Sequence, residues 1–146
     1  MAVHASSEVV IDAPLSTIMD AIADMDALPS WSSVHKRAKV IDTWPDGRPR
    51  RVKVVVKLAG VVEKETIEYH WGPDWVAWDA LETRRQHAQH CEYRLTRESD
   101  DRTRVRFTVT IETSALLPEF VVNRVRDKLL RVATEGLRQQ VLASAG

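Results

Sequence analysis

Strict two-residue alternation constrains this chain more than any other feature. In residues 103–112, Val105, Phe107, Val109 and Ile111 alternate with Arg104, Arg106, Thr108 and Thr110. Successive side chains of a strand point to opposite faces, so this segment predicts a strand with one dry and one wet side. The pattern recurs. Val52, Val54, Val56 and Leu58 alternate with Arg51, Lys53, Val55 and Lys57 over 50–58. Residues 61–71 set Ile67, Tyr69 and Trp71 against Lys64, Thr66, Glu68 and His70. Val76, Trp78 and Ala80 share a face over 75–82, as do Cys91, Tyr93 and Leu95 over 88–97. Turn residues punctuate these runs at Trp44-Pro45-Asp46-Gly47, Gly60, Gly72-Pro73-Asp74 and Ser99-Asp100-Asp101. With a further strand carrying Val34, Ala38 and Val40, this predicts six consecutive antiparallel strands. Their common dry face must be covered by another element.

The last segment supplies a cover. Pro118 opens a predicted helix that runs to about Ala143. Val121, Val125, Leu129, Val132, Gly136 and Gln140 lie near one face, flanked by Val122, Ala133, Leu137 and Val141. At about 1.5 Å per residue, such a helix crosses a whole sheet. At the other end, residues 3–12 predict a strand with Ala5, Ser7, Val9 and Ile11 on one side. Asp12-Ala13-Pro14 then predicts a helix start, with Asp12 as cap, continuing to about Met25. Residues 26–29 predict a second short turn or helix ended by Pro29. The expected class is α+β, in one domain spanning 1–146.

Composition excludes several alternatives. The 146 residues are 44% hydrophobic, enough for a core that needs no disulfide or metal. Lys plus Arg number 21 and Asp plus Glu number 21, so the basic excess of a nucleic-acid binder is missing. The one cysteine, Cys91, cannot form an internal disulfide, which fits a reducing compartment. No run approaches the roughly eighteen apolar residues that span a bilayer. The first residues do not read as a signal peptide. The expectation is a cytoplasmic protein with no membrane insertion, no nucleic-acid partner and no cofactor. Its oligomeric state is left open, as monomer or dimer. Only five glycines occur, with no phosphate-cradling loop, dinucleotide fingerprint or nucleophile elbow.

The order strand, helix pair, six strands, long helix is the pattern of the helix-grip fold. Specific segments carry the likeness: Val10-Ile11-Asp12-Ala13-Pro14, Leu28-Pro29-Ser30-Trp31, Tyr69-His70-Trp71, Trp78-Asp79-Ala80-Leu81 and Thr103-Arg104-Val105-Arg106-Phe107. Over essentially its whole length the chain resembles the polyketide cyclase/dehydrase and lipid-transport families of the START-related, birch-pollen-allergen-like superfamily. The resemblance implies a curved sheet wrapped around the C-terminal helix, with a hydrophobic cavity between them. Relatives bind lipids, sterols, polyketides or quinones. Some catalyse cyclisation or dehydration.

Candidate site residues follow from face and position. Of the five tryptophans, Trp31, Trp71 and Trp78 are candidates for cavity wall, while Trp44 beside a turn suits the rim or surface. Tyr69, Trp71, Trp78 and Tyr93 share inward parity on neighbouring strands. Val54, Val56, Phe107, Val125 and Leu129 complete the expected ligand-binding set. Tyr69 and Tyr93 bring hydroxyls to a buried face, where each needs a partner or serves as a general acid. His35, near the expected mouth, is an acid/base candidate. Ser7 and Glu65 share inward parity, although a twist or bulge is expected to turn Glu65 to solvent. His87 and His90 suggest a metal site, yet in a strand they face opposite ways, so none is expected. Arg84, Arg94, Arg102, Arg104 and Arg106 are expected on the wet face.

Three functions stay open at this point. The first is a carrier or binding protein for a hydrophobic small molecule. The second is a cyclase, aromatase or dehydratase whose pocket Tyr, His or Glu moves a proton. No inward arginine is evident for a mechanism transferred from the better-defined aromatases. The third is an interaction or stress-response module that uses the outer sheet face.

Overall fold

The computed structural model describes residues 2–82, 88–112 and 117–144. Strand β1 (Ala2–Ile11) leads into helix α1 (Leu15–Ala23) and the short helix α2 (Leu28–Trp31). Six strands follow: β2 (His35–Thr43), β3 (Pro49–Leu58), β4 (Val61–Trp71), β5 (Trp75–Glu82), β6 (Ala88–Ser99) and β7 (Arg102–Glu112). The chain ends in helix α3 (Glu119–Arg131), a π-helical turn at Val132–Gly136, and helix α4 (Leu137–Ser144). The strands form one antiparallel sheet in the order β1-β7-β6-β5-β4-β3-β2. The sheet wraps the C-terminal helix, which is the expected helix-grip architecture.

The alternation seen in the sequence is the alternation of the sheet. Val105, Phe107 and Val109 are buried, while Arg104 and Arg106 are exposed. Tight turns set the register. Ala59 and Gly60 both have positive φ, 51° and 78°, which gives the two-residue hairpin that twists with its strands. At the β2–β3 connection, Gly47 (φ 91°) closes a turn whose Asp46 carboxylate accepts from the Arg48 amide at 2.9 Å.

Three local expectations are corrected. Asp12 does not cap α1; Pro14 holds that position, and Asp12 pairs with Arg102 at 3.3 Å. Pro29 does not end α2 but sits in its first turn, where a missing N–H leaves nothing unsatisfied. The C-terminal helix runs unbroken from Glu119 to Ser144, as expected, but not as regular α-helix throughout. Its π turn takes up extra chain, and the seam behind it runs through Ala133, Leu137 and Val141 rather than Gly136 and Gln140. A Cβ on Gly136 would meet the Trp31 carbonyl oxygen at 2.8 Å, so glycine lets α2 press directly on the helix.

The core is dense at one end. Ile11, Ile18, Val105, Leu137 and Val141 are almost wholly inaccessible there. Burying Leu137 alone stabilises the fold by about 2–3 kcal/mol. The buried Thr103 hydroxyl donates to the Ala13 carbonyl at 2.9 Å, which satisfies both groups where β1 hands over to α1.

Candidate functional site

At the other end the helix keeps contact with β1 but parts from β3 and β4. Helix α3 has no buried residue, and its apolar face looks onto a cavity of about 410 Å³. Strands β3 and β4 supply one wall through Val54, Val56, Val61 and Ile67. Val125 and Leu129 of α3 face them. Deeper in lies a pouch of about 70 Å³, bordered by Trp31, Tyr93 and Phe107. Val34, His35, Tyr69, Trp78, Gln89 and Leu129 border both spaces and form a waist between them. A more open depression of about 500 Å³ also lies outside the grip, beside Asp24, Met25, Val40 and Arg48.

The sequence candidates are thus distributed. Val54, Val56, Val125 and Leu129 line the outer chamber; Trp31, Tyr93 and Phe107 line the pouch; Tyr69 and Trp78 border both. Aromatic contacts tie them together. Ring centroids are 5.2 Å apart for Tyr69 and Trp78, 5.6 Å for Trp78 and Tyr93, and 5.0 Å for Tyr93 and Phe107. Trp71 borders neither space. Its indole N–H donates to the Pro49 carbonyl at 2.7 Å, and the Arg48 guanidinium lies 5.3 Å from its ring centroid. That acceptor draws the ring toward the β2–β3 turn, where it still stacks on Tyr69. Trp44 is half-buried and donates to the Tyr69 carbonyl at 2.8 Å. Ser7 is half-buried on β1, paired with Phe107, and borders neither space.

The two tyrosines differ in their partners. Tyr93 donates its hydroxyl to the Ala133 carbonyl at 2.7 Å, on the π turn. The Tyr69 hydroxyl makes no hydrogen bond among the described residues, although the residue is only 4% exposed. Burial pushes both phenols well above their ordinary range, so both stay protonated.

His35 is part of the waist. Its Nδ1 lies 2.7 Å from the Ser32 hydroxyl, itself inaccessible to solvent. Burial lowers its pKa to about 4, so the ring is neutral at pH 7. Glu65 is not turned outward. It is 5% exposed and borders the outer chamber, as does Glu63, and neither is without a partner. Cys91 borders the pouch, and burial raises its thiol pKa to about 12, which makes it a poor nucleophile.

His87 and Arg84 lie outside the described residues. His90 Nδ1 sits 2.7 Å from an Asp79 carboxylate oxygen at an exposed position. Among the described residues no group of three or more His, Cys, Asp or Glu gathers to hold a metal ion. No helix of the described residues is long and apolar enough to cross a membrane. Arg94, Arg102, Arg104 and Arg106 lie on the wet face, paired with Glu92, Asp12, Glu8 and Glu98. Exposed pairs of this kind each contribute at most about 1 kcal/mol.

Sequence reasoning missed Gln89 and Ser32. Gln89 has the parity of Cys91 and Tyr93, so the alternation already placed it inward. Ser32 carries no such signal, because it sits between helix and strand.

The sequence matches, over residues 2–144, the family described as polyketide cyclase / dehydrase and lipid transport. No curated protein is significantly similar to it in sequence. Solved structures share its fold. A START superfamily protein from Mycobacterium smegmatis superposes with a TM-score of 0.86 at 18% identity, covering 97% of this chain and 98% of that one. A protein from Thermus thermophilus gives 0.81 at 19% identity, covering 99% and 100%. The Zhui aromatase/cyclase from Streptomyces sp. R1128 gives 0.73 at 18% identity, covering 99% and 94%.

Proposed function

We propose, from the premise that this chain belongs to the polyketide cyclase / dehydrase and lipid transport family, that it is a binding or carrier protein for a neutral apolar small molecule held between the sheet and α3. The observation that carries this reading is the unfilled space of about 410 Å³ walled by valines of β3 and β4 and by α3. Its size falls within the range of small-molecule sites, and its lining is mostly apolar with a few polar groups. Burial of ligand carbon against that wall supplies the affinity, at about 25 cal/mol per Å² before ordering costs. The single buried thiol is compatible with a reducing, cytoplasmic setting.

Filling the space tests this. Val125→Trp places a ring from α3 into the outer chamber. Uptake of a neutral fluorescent probe such as N-phenyl-1-naphthylamine is expected to fall by at least about tenfold, with thermal stability kept. Unchanged uptake by this variant would place the probe elsewhere and refute the reading.

An enzymatic reading, as a cyclase or dehydratase, draws support from the meeting of Tyr69, His35 and Glu65 on one cavity. Its acid would be the protonated Tyr69 hydroxyl. Its base is less well served, because an imidazole with a pKa of about 4 takes a proton weakly at pH 7. Binding is therefore the better supported function.

A further inference from the structure

The waist is chemically unlike the spaces it joins. Three of its six members are hydrophobic: Val34, Trp78 and Leu129. The other three, His35, Tyr69 and Gln89, present hydrogen-bonding groups from β2, β4 and β6. These groups are only partly committed. Gln89 makes one long contact, from Nε2 to the Cys91 sulfur at 3.7 Å. His35 uses Nδ1 toward Ser32, which leaves Nε2 over. The Tyr69 hydroxyl, a fixed donor at any physiological pH, has no acceptor among the described residues. The hydroxyl is open to the cavity it borders, so a guest that supplies an acceptor can take the place of water there.

We propose that the guest carries one ketone-type carbonyl oxygen near one end, and that Tyr69 donates to it at the waist, with His35 and Gln89 beside it. The spaces on either side set where along the guest that oxygen falls. A pouch of about 70 Å³ takes a tip of roughly two or three carbons, because each methylene fills about as much room as a water molecule, roughly 30 Å³. The outer chamber, near 410 Å³, takes the longer remainder, roughly a dozen carbons. The guest is therefore an elongated apolar chain whose carbonyl is the third or fourth carbon from its short end, on the order of the pouch's capacity. Trp31 and Phe107 border the tip, while Val54, Val125 and Leu129 border the body. This assignment rests on the ligand-binding reading above and adds a position and a chemistry to it.

The test is a positional series. Dodecan-3-one, dodecan-6-one and dodecane are compared for their ability to displace N-phenyl-1-naphthylamine from the intact chain. Dodecan-3-one is expected to compete about tenfold better than the other two, the discrimination of one well-made hydrogen bond to a donor inside an apolar cavity. In Tyr69→Phe, the ratio between dodecan-3-one and dodecane is expected to collapse toward one. That ratio is taken within a single variant, so a general loss of packing leaves it unmoved. Equal competition by all three compounds in the wild type overturns the carbonyl assignment while leaving the ligand-binding reading intact. Persistence of the ratio in Tyr69→Phe removes Tyr69 from the role. A probe that never binds the wild type defeats both readings together.

Discussion

The two halves of the C-terminal helix face the same sheet and are made of similar residues, yet they pack in opposite ways. Beyond the π turn, Leu137 and Val141 are sealed between α1 and the sheet. Before it, no residue of α3 is buried, and Val125 and Leu129 face open space. The difference lies in what occupies the groove. Helix α1 and the start of the chain fill one end with Ile11, Ile18 and Met19, while none of the described residues fills the other. One half of the helix is therefore packed into the core and the other half covers a cavity. The joint between them is the π turn, held by Tyr93 to Ala133 and by Thr134 to Leu130, both at 2.7 Å.

Truncation on either side of the joint should separate the halves most sharply. Leu137→Ala removes a fully buried side chain and is expected to destabilise the fold by about 4 kcal/mol. Leu129→Ala, at a half-buried chamber residue, is expected to destabilise by less than about 1 kcal/mol and to weaken probe uptake instead. Urea unfolding of the two variants checks this, and equal losses would abolish the distinction.

Acid titration should sharpen it next. His35 stands at the boundary of the two spaces, with a pKa lowered from 6.5 to about 4. As pH falls below about 6.5, the unfolded chain takes a proton that the folded chain refuses. Stability is thus expected to decline from pH 6.5 toward pH 4, by about 2–3 kcal/mol, and to be insensitive to this group above pH 6.5. Part of the ring borders the chambers, and water admitted there keeps the figure at the lower end. Carboxylates titrate in the same range, so the readout is the difference between wild type and His35→Gln in denaturation at pH 7.5, 5.5 and 4. Parallel profiles for the two proteins would contradict the buried neutral imidazole.

The smallest effect is expected at the joint itself. Tyr93→Phe leaves the Ala133 carbonyl without its donor and should destabilise by about 1–2 kcal/mol. Amide exchange should quicken in Val132–Gly136 and α3 more than in α4. Uniform acceleration along all three would show that the π turn does not divide the helix.

Much of the fold was legible in the chain because strand periodicity is a local property. The alternation at Val105, Phe107 and Val109 fixes a dry face whatever the rest of the molecule does. The same parity put Tyr69, Trp78 and Tyr93 inward, and it held Gln89 as well, where it was overlooked. Glu65 shows the limit. Its parity pointed inward, but a carboxylate there needs company, and whether company exists depends on segments far away in sequence. The π turn lies beyond that limit too, since Trp31, some hundred residues earlier, presses on Gly136.

The sequence by itself determined the antiparallel sheet, its inward face and the amphipathic closing helix, since each follows from spacing between near neighbours. Only the tertiary structure decided that Tyr93 is tied to the helix while Tyr69 faces the waist, that Trp71 turns to Pro49, and that α3 covers a space which α4 does not. Those outcomes depend on which distant groups reach a given side chain first, and on whether atoms from elsewhere in the chain fill the gap between two apolar faces. Periodicity fixes the direction a side chain points and carries no information about what meets it there.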